Sequence, residues 1–327
     1  MLGYIIRRVI QAVFITLGVT LLVFVLLHLL PNGPARAILG PRANAVQIAQ
    51  FNHDNGLDQP IWTQYGTYLG KITGLGSLFA GHGWSIDFGY SYKLTQSVGS
   101  LLAEDVPKTL LLVGLSYALA IIIAVPLGIY QAVRRNKIDD YVLTGASFVF
   151  YSMPVFWLGI IMIVIFSQIL RVLPPEGPQG ATAGDLLNQF TSLILPVTSL
   201  ALGTIALFSR YMRSSTLENM VQDYVRTARA KGASNTRVLF VHVLRNALIP
   251  ILTLIGVSIS YIFSGALITE ALFNYPGIGL DFWNAAITQD YPVILGIIIV
   301  AALATVMGSL LADIMYGVAD PRVRYTR

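Results

Sequence analysis

The sequence predicts an all-α polytopic membrane protein with six transmembrane helices, and three observations lead to this class. Of the 327 residues, 55% are hydrophobic and only 11% are charged, with a mean hydropathy of +0.69, whereas soluble domains carry roughly 25% charged residues. Six apolar runs are long enough to cross a bilayer, which takes about 20 helical residues. Lysines and arginines collect between alternate runs, which is typical of oriented membrane proteins.

All six runs are predicted to be retained helices. Arg7 and Arg8 precede the first run as they would in a signal peptide. That run is too long for a signal peptide, however, and it reaches Leu29-Leu30-Pro31 without a small-residue cleavage site. The predicted spans are 9–30, 109–133, 141–170, 193–212, 248–272 and 292–318.

The basic residues predict the orientation. With Arg210 counted in the loop that follows it, fifteen of the 21 lysines and arginines lie on one side and six on the other. Positively charged loops stay in the cytoplasm, so both termini are predicted to be cytoplasmic. The predicted divisions are 1–30 (N-terminal end and first span), 31–107 (external loop or cap), 108–318 (five-helix core with a cytoplasmic loop at 213–247) and 319–327 (cytoplasmic tail).

The external loop is predicted to form a small ordered cap. A helix is expected from Gln59-Pro60, because proline is favoured at a first helical position and apolar residues then recur at helical spacing. The alternative is a flexible loop, which the aromatic content disfavours. The periodic residues are Ile61, Trp62, Tyr65, Tyr68, Leu69 and Ile72.

The cytoplasmic loop is predicted to be a helix, a glycine break and a second helix. The segment 217–231 holds good helix formers, and Gly232 follows where a left-handed residue ends a helix. Ser234 can cap the second helix, 235–246. Ala228 and Ala230 are small, and basic residues surround them, so a partner surface could approach closely. An amphipathic helix resting on anionic headgroups is the other interpretation.

Polar groups inside apolar spans are the candidates for a transport path. Such groups are costly in lipid and tend to face a cavity, although hydrogen bonds between helices explain any one of them equally well. Prolines within or near spans are either flex points or ordinary membrane-helix residues. The candidate path residues are Ser147, Tyr151, Ser152, Ser258, Ser260, Tyr261 and Ser264, and the prolines are Pro126, Pro154, Pro196 and Pro250.

The sequence contains none of the common motifs for catalysis, metal binding or nucleotide binding. There is no cysteine, and the four histidines lack the i, i+4 spacing of a helical metal site. A nucleotide-binding glycine-rich loop and the common hydrolase and metalloprotease motifs are also absent. Basic residues lie in short loops rather than on one soluble face, which argues against nucleic acid. We therefore predict a protein that is not an enzyme and has no metal, cofactor or nucleic acid of its own.

The segment from Tyr224 to Gly232, YVRTARAKG, resembles the cytoplasmic "EAA" loop of ATP-binding-cassette importer permeases. It is most similar to the dipeptide, oligopeptide and nickel branch, since Arg226, Thr227 and Arg245 stand where the general motif has Glu, Ala and Pro. Fragments along the whole chain resemble the B-type permease of peptide systems. They are MLGYIIRR at 1–8, GLDQP at 56–60, PLG at 126–128, SMPVFW at 152–157, the segment 270–279 and DPRVRY at 320–325.

The resemblance implies a type I importer permease in the bacterial cytoplasmic membrane. It implies that di- or oligopeptides are carried, with nickel or another small solute as the alternative. The implied partners are a second permease, one or two kinds of ATP-binding subunit that use ATP and Mg, an external binding protein and membrane lipid.

The resemblance also assigns two sets of residues. A coupling helix would dock on the ATPase through Tyr224, Arg226, Thr227, Ala228, Arg229, Ala230, Lys231, Gly232 and Arg237. An outer gate would be formed by Phe273, Tyr275, Pro276, Gly277 and Gly279, for which a plain Pro-Gly turn is the alternative.

Overall fold

The computed structural model of the chain is built almost entirely from helices. It describes residues 2–29, 33–40, 42–79, 81, 84–259 and 262–319. The first elements are α1 (Leu2–His28), α2 (Gly33–Leu39), α3 (Ala45–Asp54), α4 (Ile61–Thr73), α5 (Leu75–Phe79), the paired strands β1 (Tyr90–Ser91) and β2 (Gln96–Ser97), and α6 (Val98–Val133).

The second half of the chain adds the remaining membrane helices and the loops between them. They are α7 (Ile138–Ser152), α8 (Val155–Met162) with a π-helical continuation (Ile163–Ile169), α9 (Ala183–Leu187), α10 (Phe190–Met220), α11 (Asp223–Ala230), α12 (Asn235–Arg237) with a π-helical continuation (Val238–Val243), α13 (Leu244–Ala247), α14 (Ile249–Ile259), α15 (Ile262–Leu272), α16 (Ile278–Thr288) and α17 (Tyr291–Ala319).

The helices α6 and α10 form the most extensive contact between any two described elements. Ala120, Ala124 and Gly128 recur every four residues on the buried face of α6, so they lie on one side of the helix. A Cβ added at Gly128 would lie 2.6 Å from both the Ser209 carbonyl oxygen and the Met212 Cβ. Small residues therefore let the two backbones approach closely, as at many membrane helix interfaces.

The two ends of this helix pair carry different structures. At one end, here called the α4 end, Ile72 of α4 packs against Val23 of α1 and Ile299 of α17. At the other, the α11 end, Val225 of α11 packs in one cluster with Ile129, near the end of α6. The helices α2 to α5, here called the α2–α5 layer, thus contact α1 and α17 through α2 and α4, whereas α11 packs on α6 and α10.

By length and composition, four described helices could cross a membrane, or up to six if each of two bent pairs is one span. A multi-pass helical protein is therefore confirmed, while the prediction of six single spans is not. The four are Val9–His28, Val98–Val133, Phe190–Met220 and Tyr291–Leu310.

The predicted third span, 141–170, is not one helix. It bends by 106° between α7 and α8. Met153 adopts an extended conformation, with φ −77° and ψ 131°, and Pro154 follows. Proline cannot donate the backbone hydrogen bond of a continuing helix and it disfavours a helical conformation in the residue before it. Pro154 thus breaks the helix, which is a larger effect than the flex point considered from the sequence.

The predicted fifth span, 248–272, also differs. Its first part, α14, forms the second bent pair with the preceding segment Asn235–Ala247. The bend between them is 41°. The sequence assigned 235–246 to the loop instead. Residues 260 and 261 lie outside the described residues.

The helix α6 begins at Val98, well before the predicted start of the second span. The Ser97 side chain caps it by accepting a hydrogen bond from the Ser100 backbone N–H at 3.1 Å. Pro107 lies inside the helix, although the sequence placed the end of the loop there. A proline removes one backbone hydrogen bond. The helix nevertheless continues through Pro107, with buried residues on both sides of it.

The expected helix after Pro60 is present as α4, with Pro60 just outside its first turn. The side chains of Tyr68, Leu69 and Ile72 pack toward α1 and α17. Trp62, by contrast, is 79% exposed, so only the later part of the predicted stripe is buried. Gly74 ends the helix in the left-handed conformation at φ +73°.

Gly128→Leu should destabilise the protein by forcing α6 away from α10. Its new side chain would meet backbone as well as Met212, and overpacking of this kind costs about 1–3 kcal/mol. We expect thermal unfolding in detergent to shift down by several degrees. Gly114→Leu on the same helix is the control, because a Cβ there has no atom within 4 Å. Equal unfolding temperatures for the two variants would contradict this packing role.

Candidate functional sites at the two ends of the bundle

The loop after α10 has the predicted form of two helical pieces around a glycine. Gly232 has φ +81°, which suits glycine because it lacks a Cβ. The Ser234 hydroxyl accepts a hydrogen bond from the Arg237 N–H at 3.4 Å and caps the second piece. The sequence missed one break, because α10 ends at Met220 and α11 starts anew after Gln222, whose backbone is extended.

The helix α11 has one buried and one exposed face. Val225 and Ala228 are buried and pack with Met212 and Val238. Arg229 and Ala230 are exposed. The expectation that Ala228 offers a small surface to a partner is thus corrected, because its side chain packs into the core of the chain itself. Ala230 remains as the small residue on the exposed face.

The other predicted coupling residues lie on or beside this exposed face. The Tyr224 hydroxyl donates to the Asn219 side-chain oxygen at 2.7 Å, which ties α11 to the end of α10. Arg226 lies 3.5 Å from Asp223, and both are largely exposed, so the pair adds little stability. The remaining exposed members are Thr227, Lys231, Gly232 and Arg237. The loop thus presents an exposed, mainly basic surface on a rigidly packed base.

A buried ion pair fixes the same end of the bundle. Arg213 of α10 donates two hydrogen bonds of 2.8 Å to the carboxylate of Asp140 on α7. The Asp140 side chain is only 1% exposed, and the Asn136 N–H also donates to it at 3.0 Å. Removing one partner of such a pair leaves an uncompensated charge. Residues 73 positions apart give no local signal of pairing, so the sequence predicts Arg213 only as one of the basic residues of the cytoplasmic loop.

The predicted path residues do not form one described surface. Ser147 is buried and donates to the Leu143 carbonyl of its own helix at 2.9 Å. Tyr151 is half-exposed, and the guanidinium of Arg210 lies 5.4 Å from its ring centroid. Ser152 is exposed. Ser258 lies beside Tyr117 of α6.

Three further predicted path residues cannot be placed. Ser260 and Tyr261 lie outside the described residues, as does the side chain of Ser264. The transport path therefore stays a prediction.

A buried carboxylate organises the α4 end. Glu270, at the end of α15, is fully buried. It accepts hydrogen bonds from the Thr109 hydroxyl at 2.7 Å and from the backbone N–H groups of Gly279 at 2.7 Å and Leu280 at 3.3 Å. Those two N–H groups belong to the first turn of α16, where a negative charge is favourable. Glu270 therefore joins α15, α16 and α6. We call this arrangement the Glu270 clamp.

The predicted gate residues form the turn inside this clamp. Phe273 and Tyr275 are fully buried, and the Tyr275 hydroxyl donates to the Lys108 carbonyl at 2.7 Å. A Cβ at Gly277 would lie 2.5 Å from a Glu270 carboxylate oxygen, so only glycine fits there. Pro276, which lies between Tyr275 and Gly277 in the sequence, is partly buried. The segment is thus tightly packed in this structure, and a gating role stays a prediction.

Acidic side chains cluster beside the clamp. Lys108 is buried and donates to Asp105 at 2.7 Å and to Glu104 at 3.0 Å. Asp281 of α16 lies beside Asp105 in the same cluster, and one of its carboxyl oxygens is buried without a hydrogen-bond partner among the described residues. Burial raises the pKa of Asp281, and the negative charges of Asp105 and Glu270 raise it further, while Lys108 opposes them.

Long apolar helices with a protruding basic loop define a multi-pass membrane protein. The chain belongs to the family of binding-protein-dependent transport system inner membrane components. The model of that family matches residues 124–325, and a model of the N-terminal part of these membrane components matches residues 1–113. The resemblance seen in the sequence is therefore confirmed.

Full-length relatives carry the names of peptide permeases. The oligopeptide transport system permease protein AppB of Bacillus subtilis is 37% identical, with 99% of this chain and 100% of that protein covered. The dipeptide transport system permease protein DppB of Escherichia coli K12 is 32% identical, and the di/tripeptide transport system permease protein DppB of Pseudomonas aeruginosa is 35% identical. Both comparisons cover 100% of each chain.

Stability of the α4 end should fall as the pH rises. A carboxyl whose pKa is raised on folding contributes most below the usual pKa of aspartate, about 4, and this contribution is lost as the pH climbs through the raised value. Ionised Asp281 would add a negative charge beside Asp105 and Glu270, with Lys108 as the one described cation acting on it. We expect the thermal unfolding temperature to decline between pH 5 and pH 9.

Asp281→Asn is the matched control for this pH effect, because the amide can donate to Asp105 without ionising. This variant should show a flatter dependence of unfolding temperature on pH. An equally steep decline in the variant and the unmodified protein would show that Asp281 is not the responsible group.

Proposed function

We propose that this chain is the membrane permease subunit of an ATP-binding-cassette importer of di- or oligopeptides. The observation that carries the proposal is the full-length similarity to permeases named for oligopeptide, dipeptide and di/tripeptide transport. The same names favour peptides over nickel as the cargo. In this proposal the chain forms the translocation path with a second, homologous permease and receives its cargo from an external binding protein.

The energy in this proposal comes from separate ATP-binding subunits, which use ATP and Mg. The exposed face of α11, with Arg226, Arg229 and Ala230, would dock on one of those subunits. Support comes from the way α11 is held: its opposite face is buried against α6 and α10 through Val225 and Ala228. A force applied to the exposed face would therefore reach the membrane helices instead of being absorbed in a loosely held loop.

The proposed orientation follows from the distribution of basic residues. With both termini and α11 in the cytoplasm, the α4 end lies outside, so the α2–α5 layer and the Glu270 clamp face the binding protein. Nucleotide-driven approach of the ATPase subunits would then shift the equilibrium between inward-open and outward-open states. The Phe273–Gly279 turn would be part of the outer gate in this cycle.

Peptide uptake should depend on the chain. Cells with and without it, and cells with the chain restored, are given a mixed pool of di- to hexapeptides, and the medium is followed by mass spectrometry. We expect a defined length class to remain unconsumed only in the deletion strain. Nickel accumulation is measured in the same cells. A defect in nickel alone would contradict the peptide cargo but leave the permease assignment intact.

Docking through α11 predicts opposite effects for two alanines on the same helix. Ala230→Trp enlarges the exposed face and should reduce ATP-dependent uptake by roughly tenfold or more, equivalent to about 1.4 kcal/mol, with an unchanged unfolding temperature. Ala228→Trp overpacks the core and should destabilise the chain itself by about 1–3 kcal/mol. Normal uptake by the Ala230→Trp protein would rule out this face as the docking surface.

A further inference from the structure

Arg210 is a charged residue inside an apolar helix. The helix α10 is long and apolar enough to cross a membrane. Arg210 lies roughly three turns before the end of this helix at Met220, and not in the loop with which the sequence analysis counted it. A charge within such a helix is costly in lipid, and it nearly always faces the interior of a bundle or a water-filled cavity. We therefore expect Arg210 to face away from lipid and to have an anionic partner.

No acidic side chain is that partner in the part of the chain that the structure describes. Arg213, one turn later on α10, is neutralised by the Asp140 carboxylate through two hydrogen bonds. Arg210 has neither an ion pair nor a hydrogen bond among the described residues. The positive charge of its guanidinium and the five N–H donors are therefore available to a group from outside these residues.

Two aromatic rings of α7 hold the guanidinium in place. Its central carbon lies 4.4 Å from the ring centroid of Phe148 and 5.4 Å from that of Tyr151, which is within the range of a cation–π contact. Such a contact uses the face of a ring, and the planar fork of N–H groups can still bind a carboxylate. Arg210 is thus positioned by its neighbours without being neutralised by them.

The guanidinium is directed away from the α11 end. The helix α7 starts shortly after α6 ends, and Asp140 in its first turn binds Arg213. Phe148 and Tyr151 lie about 12 Å and about 16 Å further along α7 than Asp140, at the rise of an α-helix. Because Arg210 contacts these later residues, its side chain extends toward the middle of the helices. This direction disfavours a lipid headgroup at the α11 end as the partner.

The surface around Arg210 is aromatic and open. The side chains of Phe148 and Tyr151 are 49% and 51% exposed, and Ser152 is exposed beside them. Tyr151 and Ser152 belong to the path residues predicted from the sequence. Since a surface that carries a charge is unsuited to lipid, a ligand with a negatively charged end could reach Arg210 from the space beside α7.

We propose that Arg210 binds the C-terminal carboxylate of the transported peptide. This inference rests on the proposed function and specifies which part of the cargo one residue recognises. The guanidinium binds the carboxylate through two parallel N–H···O bonds, and the rings of Phe148 and Tyr151 lie beside the last residue of the peptide. Every linear peptide with a free C-terminus carries this carboxylate, so the contact suits a permease that accepts many sequences. A metal cation would be repelled at the same position.

Uptake of matched peptide pairs tests this role. Cells that lack the chain are restored with the unmodified protein or with a variant. They receive peptides that differ only in a free C-terminal carboxylate or an amide, chosen so that unmodified cells import both forms. The other transport components are the same in every strain, so a changed ratio of the two uptake rates reports on this chain. Arg210→Gln should lower uptake of the free-acid form about tenfold, equivalent to about 1.4 kcal/mol, and leave uptake of the amide nearly unchanged.

Arg210→Lys and Arg213→Gln are the matched controls on the same helix. Lysine keeps the positive charge but not the planar fork, so it should restore part of the preference for the free acid. Arg213→Gln leaves the buried Asp140 carboxylate without its partner. It should therefore lower the unfolding temperature and reduce uptake of both peptide forms alike.

The outcomes separate this inference from the proposed function. If Arg210→Gln lowers uptake of both forms equally, Arg210 does not recognise the carboxylate and pairs instead with an acidic group of another subunit. Unchanged uptake of both forms in this variant would also overturn the inference. In either case uptake by the unmodified protein leaves the permease function intact. If cells restored with the unmodified protein import no peptide of either form, the proposed function fails and this inference fails with it.

Discussion

Close packing of α6 against α10 is the constraint on which both ends of this molecule depend. Apolar side chains gain little by leaving lipid for a helix interface, so membrane helices associate through close backbone approach and van der Waals contact. Gly128 permits that approach, with the Ser209 carbonyl where a Cβ would otherwise lie. The clusters that hold α11 and Tyr275 both include residues of these two helices. Each functional region is thus built on the same pair of helices.

The Glu270 clamp shows how an ionisable group can organise a chain of few charges. Burying a carboxylate is costly unless hydrogen bonds compensate for the lost water. Here Thr109 and two backbone N–H groups at the start of α16 supply them. Those bonds draw the turn so close that a Cβ at Gly279 would lie 2.5 Å from the Leu267 Cα. The glycines of the PGIG sequence are therefore explained by packing around Glu270, whether or not the turn also gates a path.

Local signals in the sequence predicted local structure well. The helix after Pro60, the left-handed Gly232 and the Ser234 cap each depend on neighbouring residues, and the structure contains them. Long-range pairs such as Arg213 with Asp140 and Glu270 with Thr109 could not be predicted, because hydropathy and periodicity carry no information about which helices meet. The burial of Ala228 could not be predicted for a related reason. Its small size was visible, but the face of α11 that turns inward depends on the packing of α6 and α10.

The helix α10 gives a physical reason to relate the two ends. It runs without interruption from Phe190 to Met220. Val197 near its start packs in a cluster with Tyr275, and Met212 near its end packs in a cluster with Val225 of α11. On the proposed function, a displacement of α11 that keeps its buried face packed would also shift α10, which contacts the turn around Tyr275 through Val197. On the proposed function, α10 is the route by which docking at α11 would act on the α4 end.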